Sequence, residues 1–368
     1  MKMSFRWYGQ QNESFPLQYV RQIPGVHHIV GALFDVPVGE VWPLEKILAL
    51  KQEVNSAGLA LETIESVNIH EEIKLGGPNR DRYIENYILT LRNLAQIGIN
   101  VVCYNFMPVF DWTRTELARV LPDGSSVLSY DARILRDLTP EMMAERMEKE
   151  SNGFMLTGWE KERLQALQLL FDQYKTIDED GLFANLGYFL RAIIPVAEEC
   201  GIKMAIHPDD PPWSVFGLPR IATSKKNLQR IVDLVDSPSN GLTLCSGSLG
   251  ASTENDIPSI IRHFGKQGRL HFGHVRNIKI HEPGVFDEAS HKTDDGSLDM
   301  VEIMKAYWDI GFTGPIRPDH GRMIWGEKGR PGYGLYDRGL GIMYLHGIWD
   351  TFQQTAAKNS QSGRNFAN

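Results

Sequence analysis

The chain has 368 residues, 42% of them hydrophobic and 23% charged, and a formal net charge of −8. That length suits one large α/β barrel or two ordinary domains, and the composition is that of a soluble globular protein. The acidic excess argues against a nucleic-acid or anionic-membrane partner, which needs a basic face. It leaves acidic small molecules open, because a local arginine cluster reverses the field inside a pocket. Three cysteines (Cys103, Cys200 and Cys245) form no disulfide framework and fit a reducing cytoplasm. The opening Met1-Lys2-Met3-Ser4-Phe5-Arg6 has no extended apolar run that would mark a secretion signal. No window reaches the roughly 18 apolar residues of a membrane span.

In chain order, short strands are expected over residues 3–7 and 26–33. Residues 43–58 read as a helix, with Leu44, Ile47, Leu48, Leu50 and Val54 at helical spacing and Gly58 as the stop. A third strand follows over 59–66. A long helix over 79–98 carries Ile84, Tyr87, Ile88, Leu91 and Leu94 on one face, and the fourth strand, 100–106, is almost wholly apolar. Strands of that kind belong to a parallel sheet buried on both faces, and the alternation of strand and helix implies right-handed βαβ units.

Residues 107–180 break the rhythm. They hold a turn at Pro122-Asp123-Gly124, a helix start at Thr139-Pro140-Glu141 with its N-cap and proline, and a second helical pattern over 159–175. An ordered insertion of this size suits a lid or a dimer arm. The rhythm then resumes. A helix over 181–201 leads to a strand at 203–206, and a helix capped by Ser224 leads to a strand at 241–244. A helix over 257–264 precedes a strand at 270–273, and one over 299–311 precedes the strand that starts at Pro315-Ile316. A last helix is expected over 339–352 and a disordered polar tail over 356–368. Eight strand candidates predict a single (β/α)8 TIM barrel over residues 1–355, with a helical insertion at 107–180 after the fourth strand. The alternative, an open doubly wound sheet, lacks a glycine-rich fingerprint after the first strand.

The last four strands each run into a metal-type donor: His207, Cys245, His274 and Asp319. In a barrel these C-terminal ends face one mouth. Two imidazoles, a thiolate and a carboxylate bind a divalent transition metal. The softness of cysteine favours Zn(II), whereas a mixed set with open positions also suits Mn(II) or Fe(II). The flanking residues offer contacts for a substrate. Asp209 sits in the stiff loop His207-Pro208-Asp209-Asp210-Pro211-Pro212, and Ser246 follows Cys245. Arg276 and Asn277 follow His274 at the mouth, where a guanidinium can hold a carboxylate bidentately. The loop after the last strand would bring Tyr333 and Arg338 over the mouth. His271, inside its strand, reads as core or as a residue that supports the site from behind.

The runs His207–Pro212, Cys245-Ser246-Gly247-Ser248, His274-Val275-Arg276-Asn277 and Arg317-Pro318-Asp319-His320-Gly321, with Phe5-Arg6-Trp7-Tyr8-Gly9 near the start, resemble the D-mannonate dehydratases of hexuronate catabolism. The likeness covers nearly the whole chain. It implies a xylose-isomerase-like barrel and a cytoplasmic hydro-lyase, with Mn(II) or Fe(II) on His207, Cys245, His274 and Asp319. It implies dehydration of D-mannonate to 2-keto-3-deoxy-D-gluconate, with His320 and Tyr333 as the acid–base pair, and a homodimer. In the mechanism expected from these parts, Tyr333 as phenolate takes the C2 proton and His320 protonates the departing C3 hydroxyl. Arg276 and the metal hold the substrate carboxylate. Two rivals are a metal-dependent sugar isomerase or epimerase, for which Glu62 and Glu65 on the third strand would matter, and a non-catalytic zinc or sugar-acid binding protein.

Overall fold

The computed structural model describes residues 1–154, 156 and 167–364. In chain order its strands are β1 (Lys2–Arg6), β2 (His28–Gly31), β3 (Ala60–Glu65), β4 (Val101–Tyr104), β5 (Glu116–Val120), β6 (Ser126–Asp131), β7 (Lys203–Ile206), β8 (Asn240–Cys245), β9 (Leu270–His274), β10 (Ile278–Glu282), β11 (Val285–Glu288) and β12 (Pro315–Arg317). Eight of them, β1, β2, β3, β4, β7, β8, β9 and β12, close into one parallel barrel, and β12 returns to pair with β1. All eight were expected from the sequence.

The pleat decides where the functional residues go. Side chains alternate across a strand with period two. Val30, Val101, Cys103, Ala205 and Phe272 pack together in the barrel interior, while Ile29, Val102, Tyr104, Met204 and Ile206 join the larger core under the helices. Two residues beyond an interior position the chain points inward again. His207 follows Ala205 in this way, and His274 follows Phe272, whose ring it meets edge-on at 4.5 Å between centroids. Thr243 donates to Cys103 Sγ at 3.3 Å, so Cys245 shares that inward face. The apolar filling of the barrel is thus the floor on which the polar cluster stands.

Helices at Leu44–Ser56, Arg80–Gln96, Glu179–Glu199, Lys225–Asp233, Ile257–Lys266 and Met300–Asp309 surround the barrel close to their expected positions. Ser224 caps its helix by accepting from the Asn227 N–H, and Thr139 caps Pro140–Glu150 by accepting from the Met142 N–H. The last helix runs over Leu335–Arg364. The tail expected to be disordered from residue 356 is therefore helical as far as Arg364. Of the helix expected over 159–175, residues 159–166 lie outside the described residues, and the remainder is helical over Leu167–Tyr174.

The insertion is not only helical. β5 and β6 form a hairpin around the expected turn, and β10 and β11 form a second hairpin through Gly284 at φ 80°. The two join into an antiparallel sheet in the order β10-β11-β6-β5, with Phe286 opposite Tyr130. Those two rings stack at 5.4 Å. A separate apolar cluster, including Phe110, Trp112, Leu117, Leu128, Met143, Met147, Leu170 and Tyr174, gives the insertion its own core.

Candidate active site

His207, Cys245 and His274 bring three ligand atoms within 4.8 Å of one another. Asp319 joins them: its Oδ2 lies 3.4 Å from Cys245 Sγ and 3.9 Å from His274 Nδ1. Asp319 has φ 60°, a left-handed backbone uncommon for a residue with a side chain, which turns the carboxylate back over the barrel just past β12. Cys245 also caps the short helix Ser246–Gly250. Its sulfur accepts from the Ser248 N–H at 3.4 Å and the Ser248 hydroxyl at 3.0 Å. All but the half-buried His207 are fully enclosed.

The donor set fits a cation. His207 Nδ1 lies 2.7 Å from the Pro208 carbonyl and donates to it, which leaves the lone pair on Nε2. Nε2 faces His274 Nδ1 at 3.1 Å. His274 Nε2 accepts from Arg317 Nε at 3.1 Å and lies 3.4 Å from the Glu65 carboxylate. The two imidazoles bring ring nitrogens together beside the Cys245 sulfur, a donor set that suits a shared cation.

Around the donors lies a buried ionic network. Arg276 is fully buried and all five of its N–H groups are occupied. Nε donates to Asp319 Oδ2 (2.7 Å), Nη1 to both oxygens of Glu288 (2.6 and 2.7 Å), and Nη2 to Asp210 Oδ2 (2.9 Å) and Ser248 Oγ (3.1 Å). A Cβ on Gly247 would sit 2.5 Å from the Arg276 guanidinium, so the glycine lets it pass. Arg114, from the insertion, grips Asp210 with two nitrogens (2.8 and 3.0 Å) and reaches Glu288 at 2.7 Å. Arg317 pairs with Glu65 (2.7 Å) and Asp319 (2.7 Å). Three guanidiniums face four carboxylates, a balance that a divalent cation would offset.

His320 and Tyr333 stand beside this network. His320 Nδ1 lies 3.0 Å from Glu288 Oε1, and its Nε2 lies 2.8 Å from the Tyr333 hydroxyl. Burial alone would raise the Asp319 carboxyl, but Arg317, His320, His274 and Arg276 outweigh it and hold the group well below the usual carboxylate range. Glu288 is likewise lowered, by Arg276, His320 and Arg114 against burial. Tyr333 moves the other way. Burial, with Tyr8 and Asp319 adding to it, raises the phenol well above its ordinary value. The phenolate expected from the sequence is disfavoured, because it would lose its hydration in a buried site and confront the Asp319 carboxylate.

The residues expected to touch substrate are placed differently. Arg276 has no donor free for a substrate carboxylate, so the clamp expected of it gives way to a bracing role. Asn277 is fully buried, accepts from the Ile278 and Leu298 N–H groups, and donates to the Lys292 carbonyl. Ser246 bridges the Arg276 N–H and carbonyl. Asp209 accepts from the Ile221 and Ala222 N–H groups at 2.7 and 2.8 Å. Arg338 donates to the carbonyls of Gly334 (2.7 Å), Tyr333 and Arg6 (3.1 Å), which fixes the loop that carries Tyr333. These four brace the site from behind. Glu288, Arg114, Arg317 and Asp210 escaped the sequence reading as site residues. Arg317 and Asp210 lay inside motifs already singled out. Glu282-Pro283-Gly284 was an available turn signal for the hairpin that presents Glu288. Glu65 pairs with Arg317, whereas Glu62 pairs with Lys2 near the opposite, N-terminal end of the barrel.

A closed parallel barrel with metal-type donors and an imidazole–phenol pair at its C-terminal mouth is a (β/α)8 barrel whose candidate active site lies where that fold places it. Among solved structures, D-psicose 3-epimerase from Clostridium cellulolyticum H10 shares that fold at 16% identity with a TM-score of 0.52, over 86% of this chain and 83% of its own. The chain belongs to the D-mannonate dehydratase (UxuA) family, whose sequence profile matches residues 1–359. It is 61% identical to the mannonate dehydratase of Geobacillus thermodenitrificans (strain NG80-2), over 97% of this chain and 96% of the relative. The crystal structure of mannonate dehydratase from Streptococcus suis serotype 2 superposes with a TM-score of 0.88 at 45% identity, covering 97% of this chain and 96% of that one. The activity of the family is that of a hydro-lyase, a carbohydrate dehydratase.

Proposed function

We propose that the chain dehydrates D-mannonate to 2-keto-3-deoxy-D-gluconate in a metal-dependent reaction, by loss of the C2 proton and the C3 hydroxyl. The observation that carries this reading is the meeting of His207, Cys245, His274 and Asp319 beside the Glu288–His320–Tyr333 chain. The four donors would hold Mn(II) or Fe(II), and a bound ion supplies Lewis-acid stabilisation of the charge that develops at substrate oxygens. Zn(II) suits the thiolate but is less favoured by the mixed set.

The remaining steps belong to side chains. Glu288 keeps the His320 proton on Nδ1, so Nε2 presents a lone pair that takes the C2 proton. Tyr333, held as the phenol, gives its proton to the departing C3 hydroxyl, which leaves as water. This reverses the assignment expected from the sequence, and the raised phenol supports the reversal. The 2.8 Å contact between the two then returns the proton from His320 to Tyr333, which resets both groups. The enol product ketonises without further assistance. An isomerase reading is less supported, because Glu65 is already paired with Arg317.

A homodimer in the cytoplasm completes the reading. The outer edge of β5, unpaired among the described residues and with Val120 71% exposed, supports the insertion as the dimer arm. No helix among the described residues is long and apolar enough to cross a membrane. The deciding experiment is incubation of chelator-treated protein with D-mannonate, before and after Mn(II) is restored. An α-keto acid should form only with the metal. Its formation at full rate in the metal-free protein, or its absence in both, overturns the proposal.

A further inference from the structure

An anionic sugar acid needs a cation for its carboxylate, and Arg276, Arg114 and Arg317 are all held by protein carboxylates. Arg6 and Arg330 are not. Arg6 ends β1 and is 3% exposed, and the hydrogen bond its guanidinium makes among the described residues runs from Nη1 to the Val30 carbonyl at 3.3 Å. Arg330 is 2% exposed. Its Nη2 reaches the Asn12 carbonyl at 3.4 Å, and its Nε has no partner among the described residues. Neither forms an ion pair among the described residues. Both guanidiniums lie against the ring of Tyr8, at 4.4 Å for Arg6 and 3.8 Å for Arg330. Tyr8 in turn meets the edge of Tyr333 at 5.1 Å between centroids. Glu13 accepts the Tyr8 N–H at 3.0 Å and is not hydrogen-bonded to either arginine.

Two like charges buried around one ring, with weak long bonds to carbonyls, repel each other and lose their hydration. Contact with an aromatic face offsets only part of that loss. An anion between them would satisfy the free N–H groups with short charge-assisted bonds. Burial, with Arg6 adding to it, lowers the Arg330 guanidinium from its ordinary value against the opposing pull of Glu13.

We propose that Arg6 and Arg330, set against Tyr8, form the subsite that binds the substrate carboxylate, beside the hydroxyl of Tyr333. This inference rests on the sugar-acid reading above and gives it a direction. The carboxylate end of the substrate lies toward β1 and the loop after β12, and the rest of the chain extends toward His207 and Cys245. Recognition through paired guanidiniums selects a carboxylate over a neutral polyol or amide.

The test compares Arg6→Gln, Arg330→Gln and the wild-type protein, all loaded with Mn(II), in steady-state kinetics with D-mannonate. Inhibition by neutral D-mannonamide is measured in parallel. The expected result is a rise in KM for D-mannonate of about 10- to 100-fold in each variant, the loss of a charge-assisted bond. Inhibition by the amide should stay within about twofold of wild type, since an amide gains little from a guanidinium. An unchanged KM in both variants overturns the subsite, as does an equal weakening of acid and amide. If Arg6→Gln does not fold, Arg6→Lys retains the charge without the fork, and the proposal then requires a KM between those of wild type and Arg330→Gln. Wild-type protein that fails to dehydrate D-mannonate contradicts the functional reading instead. In that event calorimetric titration of wild type and Arg330→Gln with D-mannonate still decides the subsite.

Discussion

Arg276→Leu separates a structural brace from a substrate clamp. In the structure this guanidinium touches three buried carboxylates, Asp319, Glu288 and Asp210, and no donor faces outward. Leucine removes the charge and leaves those carboxylates to Arg114, Arg317 and His320. Breaking a buried ion pair by deleting one partner costs about 3–5 kcal/mol, a large part of the roughly 5–15 kcal/mol that holds a typical domain together. With a urea dependence of about 2 kcal/mol per molar, the unfolding midpoint should fall by about 2 M, read from tryptophan fluorescence. The carboxylates also lose a cation that lowers them, so acid unfolding should begin at higher pH. Asp319, Glu288 and Glu65 have depressed folded-state values, so their stabilisation is present above the ordinary carboxylate range and is lost as pH falls toward the depressed values. A variant that unfolds at the wild-type urea concentration and shows only a raised KM would refute the brace and restore the clamp.

Further outcomes follow from the same geometry. Glu288→Gln cannot hold the His320 proton on Nδ1 as a carboxylate does, so kcat should fall by about 100-fold or more with a small change in KM and full metal content by elemental analysis. Tyr333→Phe should retain the metal and lose turnover, and a variant as active as wild type would remove Tyr333 from the reaction. Cys245→Ala should lose most of its bound metal on dialysis against a mild chelator while its far-ultraviolet circular dichroism stays native. His271, buried inside β9 with Nδ1 on the Met204 carbonyl, is lowered by burial to about 4. Its neutral form is favoured in the fold, so its contribution is complete above about pH 6.5 and is lost as pH falls toward 4, a span of roughly 3 kcal/mol. His271→Asn should flatten the stability profile in that window, as urea titrations at stepped pH would record.

The barrel was legible because its strands are short apolar runs between helices of clear periodicity, and their ends carry residues of unmistakable chemistry. The meeting of His207, Cys245, His274 and Asp319 could be anticipated because each sits at or just beyond the end of a strand, and the pleat turns the first three inward. The second sheet was not legible. Glu116–Val120 is largely exposed and Val285–Glu288 wholly buried, so neither shows the alternation that marks a half-buried strand. With that sheet went Glu288, whose partners Arg114, Arg276 and His320 come from three separate segments of the chain. Sequence reasoning also credits any arginine at a mouth with a ligand. Arg276 shows why that fails: what a guanidinium binds depends on which carboxylates the fold has already placed around it. Arg6 lay inside a motif already singled out, and only the lack of an ion pair among the described residues sets it apart.

The central claim is that four side chains share one cation, and the anomalous difference map of crystals loaded with Mn(II) tests it most directly. The account predicts one peak bounded by His207, Cys245, His274 and Asp319, with bonds of about 2.0–2.5 Å to nitrogen, sulfur and oxygen. A peak elsewhere, or an ion on this site that leaves Cys245 and Asp319 unbound, would contradict it.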